Sequence, residues 1–251
     1  MKLLDIPFND RRRRYLVFHA NDLPERLSLA STATTQEFEA IGSSRFFLSR
    51  DGHLLAKVVP DKFRKRQAPM KWLLRDYLEK RWLGQCAARK EFRSLRILRR
   101  AGLATPRCHG WGISLNPGNR NGSLLLMERV SHARPGGEVF DAMSEAERIA
   151  FLERFCAEVA QLARFGYVHR DLHYNNLLIS AEGKLLWIDT HVRRLPTKSA
   201  DQWLALENSL TVNKLRGERY RSYAEQYLRA YFPHTPSRCP PSTSVEHTDR
   251  R

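Results

Sequence analysis

The chain carries many more basic than acidic side chains, and this imbalance limits the partners it can have. Its 251 residues contain 43 Lys and Arg against 27 Asp and Glu, a formal net charge of +16 at pH 7, which favours an anionic partner such as a nucleic acid, an acidic membrane surface or a phosphorylated substrate. The length allows one two-lobed unit or two small domains, and no apolar run approaches the ~18 residues of a membrane-spanning helix.

The two ends of the chain have the weakest patterns. Residues 1–35 are predicted to be an N-terminal extension of unknown role. The four arginines at residues 11–14 suit either a solvated surface or contacts with anionic lipid or phosphate. Residues 233–251, which are rich in Pro, Ser and Thr, are predicted to be a disordered tail.

Three antiparallel strands are predicted after residue 35. Apolar runs and turn residues indicate strands over residues 37–41, 46–49 and 53–59, and Asp51-Gly52 is a strong hairpin turn between the last two. The turn between the first two strands contains Gly42 and Ser43. Their backbone N–H groups could bind an anion, although a turn with a single glycine is more often an ordinary hairpin.

Lys57 lies among apolar residues of the third strand, and a buried ammonium is costly unless it meets an anion. Residues 88–101 have the apolar spacing of a helix, and Glu91 falls on its apolar face, where an acid does nothing for solubility. A pair between Lys57 and Glu91 would satisfy both charges. The alternative is a surface pair between Glu91 and a neighbour such as Arg99.

A basic segment over residues 61–85 separates this strand from this helix. Leu74, Leu78 and Trp82 recur at helical spacing among lysines and arginines, which predicts an amphipathic helix. Such a helix suits an anionic membrane or substrate surface. It equally suits an extra helix packed on the preceding sheet, and the sequence leaves both interpretations open.

Two more strands and a long helix follow. The strands are predicted over residues 107–114 and 123–130. Ser144 and Glu147 have the spacing of a capping box, and the apolar period behind them predicts a helix that ends near Phe165.

Residues 167–190 contain the densest chemical signal of the chain. His169, Arg170, Asp171 and Asn176 fit the pattern H-R-D-x-x-x-x-N, and Asp189 follows two short apolar runs. Asp171 is suited to accept the proton of an attacking hydroxyl. The Asn176 amide and the Asp189 carboxylate are hard oxygen ligands for Mg²⁺.

These motifs resemble those of protein kinases. The resemblance implies an α+β fold, two-lobed and protein-kinase-like, with an antiparallel five-stranded N-lobe over residues 36–130 and a reduced helical C-lobe over residues 131–232. It implies that Lys57 contacts the ATP phosphates and is held by Glu91, and that Gly42 and Ser43 cover those phosphates. The backbone of Glu128 and Val130 would meet the adenine. Thr190 stands where kinases have the Phe of D-F-G, so no switch of that Phe is expected.

In overall pattern the chain is similar to the bacterial lipopolysaccharide core kinases, the heptose and Kdo kinase family. The resemblance rests on the segments AKVV, KEFRSLRILRRAGLATP, LLLMERV, YVHRDLHYNNLL and WIDTHVRR. It implies phosphorylation of an inner-core sugar hydroxyl, with ATP and Mg²⁺ as cofactors and an anionic glycolipid as partner. It also implies a cytoplasmic protein in peripheral contact with the inner membrane.

The sequence also allows two other classes of function. One is a kinase of another small-molecule or protein acceptor, and the other is a non-catalytic basic binding module with a kinase-like fold. The presence of Asp171, Asn176 and Asp189 argues against the binding module, which would tolerate their loss. Nucleic acid is not an expected partner, because no zinc finger or aromatic RNA-binding motif occurs. The oligomeric state is left undetermined.

Overall fold

The fold was obtained as a computed structural model. It describes residues 1–8, 11–20, 22–24, 26–32, 35–36, 44–63, 66–116 and 119–232. Across this part of the chain the architecture is a mixed one, with a curled, largely antiparallel sheet followed by a helical part. The predicted α+β fold class is confirmed.

Seven strands close into a barrel in the order β1-β2-β6-β7-β5-β4-β3. Neighbouring strands pair antiparallel, except that β1 meets β3 in parallel through Phe8 and Leu29. The barrel strands are β1 (Lys2–Phe8), β2 (Arg11–Phe18), β3 (Leu29–Ala30), β4 (Arg45–Ser49), β5 (Leu54–Val59), β6 (Cys108–Ser114) and β7 (Ser123–Glu128).

The barrel has two strands more than the predicted five, because residues 1–35 contribute three of them. Leu4, Ile6, Tyr15 and Val17 are fully buried, which is the alternation of a strand with one face on a core. The arginines that lead into Tyr15 obscured this period in the sequence. The strand predicted over residues 37–41 lies outside the described residues, and the other four predicted barrel strands are present with ends shifted by at most two residues.

The basic segment forms one helical turn, α1 (Pro69–Lys71), that runs directly into a π-helix (Trp72–Trp82). A bond from the Leu83 N–H to the Leu78 carbonyl at 3.0 Å shows the wider i→i+5 turn. Trp72 and Asp76 are buried. The predicted apolar stripe is exposed, so the segment is buried through Trp72 and Asp76 and not through the stripe.

Helix α2 (Ala87–Arg100) lies against the barrel. Phe92 and Leu95 pack with Trp111 of β6 and Leu125 of β7. The helix ends before Gly102, which has a φ of +83°, a conformation that glycine adopts without steric cost.

Four helices build the C-terminal part around a core that includes Phe140, Phe155, Tyr174 and Trp187. The predicted capping box is present, with the Ser144 N–H donating to Glu147 Oε2 at 2.8 Å. No helix in the described residues is long and apolar enough to span a bilayer. The elements are β8 (Arg134–Pro135), α3 (Gly136–Ala142), α4 (Glu145–Arg164), β9 (Tyr167–His169), a 3₁₀ turn (Tyr174–Asn176), β10 (Leu177–Ile179), β11 (Leu185–Trp187), β12 (Val192–Arg194), α5 (Ser199–Glu207) and α6 (Glu218–Arg229).

Candidate active site

Two loops, one after β9 and one after β11, lie side by side and carry the two central acids. Pairing of β9 with β12 sets His169 opposite Val192, and the Arg170 N–H donates to the His191 carbonyl at 2.8 Å. The Ile188 N–H donates to the Asn176 carbonyl at 2.9 Å. These backbone bonds hold the loop that bears Asp171 next to the loop that bears Asp189.

Lys57 joins the barrel to both α2 and the second loop. Its Nζ lies 3.0 Å from Glu91 Oε1 and 2.5 Å from Asp189 Oδ1. The predicted pair of Lys57 with Glu91 is therefore present, and Asp189 completes a cluster of one ammonium and two carboxylates. Strand β5 positions the lysine, and the inward face of α2 positions Glu91.

The charges in this cluster depend on each other. Burial alone would lower the pKa of Lys57, but the carboxylates of Glu91 and Asp189 outweigh that effect and the pKa is raised. Lys57 is therefore held as a cation in a largely dry place. Burial also raises the pKa of Glu91, and the ammonium of Lys57 opposes this rise.

Asp189 combines an exposed side chain with an uncommon backbone conformation. Its side chain is 66% exposed, whereas its φ of +46° lies in the left-handed region that side-chain-bearing residues seldom adopt. Such strain is maintained where the surrounding structure fixes it, and it concentrates at functional sites.

Asp171 is paired with a lysine that the sequence analysis missed. Lys214 Nζ lies 2.6 Å from Asp171 Oδ1. The hydrogen bond from Lys214 lowers the pKa of Asp171 more than burial raises it, so the carboxyl is held ionised. The segment between α5 and α6 has no motif that marks Lys214, and only the fold brings it to Asp171.

The lysine is presented by a firmly anchored segment. Leu215 is fully buried, and Arg216 makes two bonds of 3.1 Å to the Asp141 carboxylate of α3. Arg216 also has a φ of +62°. Contacts on its C-terminal side thus direct Lys214 at the loop that bears Asp171.

His169 supports the loop from below. It is fully buried, and burial lowers its pKa to about 4. The Asp171 N–H donates to His169 Nδ1 at 3.2 Å. A neutral imidazole therefore holds the backbone of Asp171 in place.

Asn176 and Asp189 fit the chemistry of a magnesium site. Asn176 Nδ2 donates to the Asp171 carbonyl at 2.9 Å, which leaves its Oδ1 available as a ligand. Among the described residues no group of three or more His, Cys, Asp and Glu side chains could hold a metal alone. Mg²⁺ commonly takes one or two protein oxygens and completes its shell with phosphate and water.

The structure describes only part of the predicted nucleotide site. Gly42 and Ser43 lie outside the described residues. Glu128 ends β7 and Val130 follows it, and both are half-buried. Glu128 Oε1 accepts a bond of 2.6 Å from the Arg107 N–H, so its side chain is engaged with the start of β6.

The sequence and the fold both resemble those of known proteins. The model of the lipopolysaccharide kinase (Kdo/WaaP) family matches residues 33–208, which is most of the chain. No curated protein matches the chain. The match ends before Lys214.

Similar solved structures include WaaP in complex with acyl carrier protein, with a TM-score of 0.47, 18% identity, and coverage of 80% of this chain and 83% of that one. A high-resolution structure of WbdD has a TM-score of 0.44, 18% identity, and coverage of 78% and 44%. A structure of the bifunctional kinase-methyltransferase WbdD has a TM-score of 0.45, 16% identity, and coverage of 94% and 50%. On the match of the family model, the chain belongs to the lipopolysaccharide kinase (Kdo/WaaP) family.

Proposed function

We propose that this chain is an ATP- and Mg²⁺-dependent kinase that phosphorylates a sugar hydroxyl, on heptose or Kdo, of the lipopolysaccharide inner core. The observation that carries the proposal is the contact of Lys57 with both Glu91 and Asp189, beside a loop that presents Asp171 and Asn176. Phosphoryl transfer depends mainly on positioning and charge stabilisation, and this cluster supplies both.

The residues of the proposed site have the following roles. Lys57 binds the α- and β-phosphates of ATP, and Glu91 holds Lys57 in place. Asp171 accepts the proton of the acceptor hydroxyl. Gly42 and Ser43 cover the phosphates, while the backbone of Glu128 and Val130 contacts the adenine.

Asn176 and Asp189 would hold Mg²⁺ through their side-chain oxygens. When bound, the ion supplies positive charge against the phosphate oxygens. In the structure the Asp189 carboxylate contacts the Lys57 ammonium at 2.5 Å, so the same carboxylate would serve both the lysine and the metal.

Lys214 adds a cation beside the proposed base. Its bond to Asp171 keeps the carboxylate ionised, and next to that carboxylate its ammonium would meet the negative charge of the transferred phosphoryl group. A fixed cation there would stabilise that charge without reorganisation during the reaction.

The acceptor would be an anionic glycolipid at the cytoplasmic face of the inner membrane, where the chain would bind peripherally. The net charge of +16 supports this partner, because basic surfaces attract polyanionic lipid head groups. The exposed side chains Leu74 and Trp82 on the π-helix support contact with the interface.

The test is incubation of the purified chain with labelled ATP and Mg²⁺ against core lipopolysaccharide, a delipidated core oligosaccharide, an aminoglycoside and a generic protein. We expect label in both core acceptors and none without Mg²⁺. Label in the aminoglycoside or the protein, with none in the core acceptors, would overturn the proposed substrate.

A further inference from the structure

The outward face of α2 is an uninterrupted basic surface. The helix has a single acid, Glu91, which is buried and paired with Lys57 on the opposite face. Within the described residues no ion pair to a carboxylate joins any basic side chain of this helix. These side chains are Arg89, Lys90, Arg93, Arg96, Arg99 and Arg100.

An open groove of about 460 Å³ lies between this face and the barrel. Its floor is aromatic, because the rings of Phe18 and Trp111 stack with centroids 4.3 Å apart. Its rim carries Arg89, Arg93 and Arg96. The guanidinium of Arg89 lies 5.5 Å from the centroid of the Trp111 ring. The groove therefore offers, above an apolar surface, cations that have no carboxylate partner among the described residues; Arg89 also donates to the carbonyls of Leu83 and Gly84.

Exposed apolar side chains continue from one edge of the groove. Trp82 and Leu83 line it and are 76% and 62% exposed. Met70 and Leu74, earlier in the same helical segment, are 64% and 54% exposed. Binding of a soluble anion would require no exposed apolar surface. Tryptophan and leucine beside arginine are typical of protein surfaces that insert into a membrane interface.

We propose that this groove, defined by Arg89, Arg93, Arg96, Phe18 and Trp111 and called the arginine groove, binds the phosphate head group of an anionic phospholipid. Trp82 and Leu83 enter the bilayer interface beside it. The inference rests on the proposed function only in that a glycolipid acceptor brings the chain to a membrane. The groove shares no lining residue with the active site, so each proposal can fail without the other.

The test is binding of the full chain to vesicles of phosphatidylcholine containing phosphatidylglycerol, measured by co-sedimentation. For the double variant Arg93→Gln/Arg96→Gln we expect affinity to fall about 30-fold, from the usual attraction of two basic side chains near an anionic surface. The matched control is Lys184→Gln/Lys198→Gln, which removes the same charge from exposed sites of the C-terminal part. The affinity of this control for the vesicles should change less than about 2-fold, because its two charges lie outside the groove.

Two further experiments distinguish binding of a lipid from binding of a free anion. Trp82→Ala, which leaves the charge unchanged, should weaken binding to these vesicles, and millimolar glycerol phosphate should not displace the chain. Equal loss in the control variant, equal binding to pure phosphatidylcholine, or displacement by glycerol phosphate would each overturn the inference.

Activity of the Gln double variant on delipidated core oligosaccharide should equal that of the wild type. If no core acceptor is phosphorylated but vesicle binding still needs Arg93 and Arg96, the proposed function fails and the groove stands.

Discussion

Lys57 contacts two carboxylates that differ in how firmly they are held. Glu91 is buried on α2, while the Asp189 side chain is 66% exposed on its loop. The contact with Glu91 is thus fixed by packing, whereas the Asp189 carboxylate is open to solvent, as the proposed role of a metal ligand requires. One lysine thereby links a structural partner to a ligand of the proposed magnesium site.

Asp171→Asn tests the proposed general base. The amide keeps the size of the side chain but cannot accept the proton of the acceptor, so kcat should fall by ~10² to 10⁴. ATP binding should be largely unchanged, because Lys57 and Asp189 are intact. Steady-state kinetics and calorimetric titration with ATP measure both quantities. Turnover at the wild-type rate would remove Asp171 from the mechanism.

Lys214→Met tests the cation that contacts Asp171 at 2.6 Å. Loss of one fixed charge-stabilising group should lower kcat on the order of 10²-fold with little effect on KM for ATP. Lys214→Arg should restore most of kcat, because the charge returns. Lys184→Met, an exposed lysine elsewhere, is the control. A Met variant that melts normally and keeps full kcat would contradict the role.

His169 makes the stability of the fold depend on pH. Its pKa is about 4 in the folded chain against an ordinary 6.5, so the unfolded chain binds more protons between these values and acid favours unfolding. Between pH 7 and pH 5 this histidine should reduce the free energy of unfolding by about 2 kcal/mol.

Urea unfolding at several pH values, compared between wild type and His169→Asn, isolates this contribution. The asparagine keeps an acceptor for the Asp171 N–H and does not titrate. Its stability should therefore fall less on acidification than that of the wild type. Parallel pH profiles for the two proteins would show that His169 is not buried in its neutral form.

At the scale of elements, the sequence predicts what is local and periodic. Helix α2 follows from its apolar face and from Gly102, and α4 from the pair Ser144 and Glu147. Lys214 could not be predicted, because its partner Asp171 lies far away along the chain and no periodicity connects them. Strands β1 to β3 could not be predicted for the same reason, because a barrel is fixed by pairings between segments that are distant along the chain.

The π-helix shows a second limit of sequence patterns. Helical spacing correctly groups Leu74, Leu78 and Trp82 on one side, but it cannot tell whether that side faces the protein or the solvent. All three are exposed, and Trp72 and Asp76 face the protein instead. The π-helix is therefore held against the protein by a few of its residues, and these do not include the apolar stripe.

Trp72→Ala should separate the two sides of the π-helix. Trp72 is 7% exposed, and its ring lies 5.4 Å from that of Tyr77, so removal should cost about 3–5 kcal/mol of unfolding free energy. Leu74→Ala, at a position 54% exposed, should change stability by less than about 0.5 kcal/mol. Chemical denaturation measures both variants. A larger loss for Leu74→Ala would mean that the helix packs by its other side.

At the scale of the whole molecule, the N-terminal residues close the barrel that carries Lys57. Tyr15 of β2 donates to the Asn121 carbonyl at 2.8 Å and accepts from Asn119 Nδ2 at 3.0 Å. This buried network joins the start of the chain to the connection between β6 and β7. Strands β1 to β3 thus contribute to the core that supports the site.

Adjacent leucines of β1 offer a direct test of this closure. Leu4 is fully buried in the barrel, while Leu3 is 53% exposed, because successive side chains of a strand point to opposite faces. Leu4→Ala should therefore lower the free energy of unfolding by about 2–5 kcal/mol, and Leu3→Ala by less than about 0.5 kcal/mol. Urea unfolding curves provide the comparison. The affinity of the Leu4→Ala variant for nucleotide should fall only under conditions in which part of that variant is unfolded. Equal, small effects of both substitutions would mean that residues 1–8 are an appendage and that the barrel closes without them.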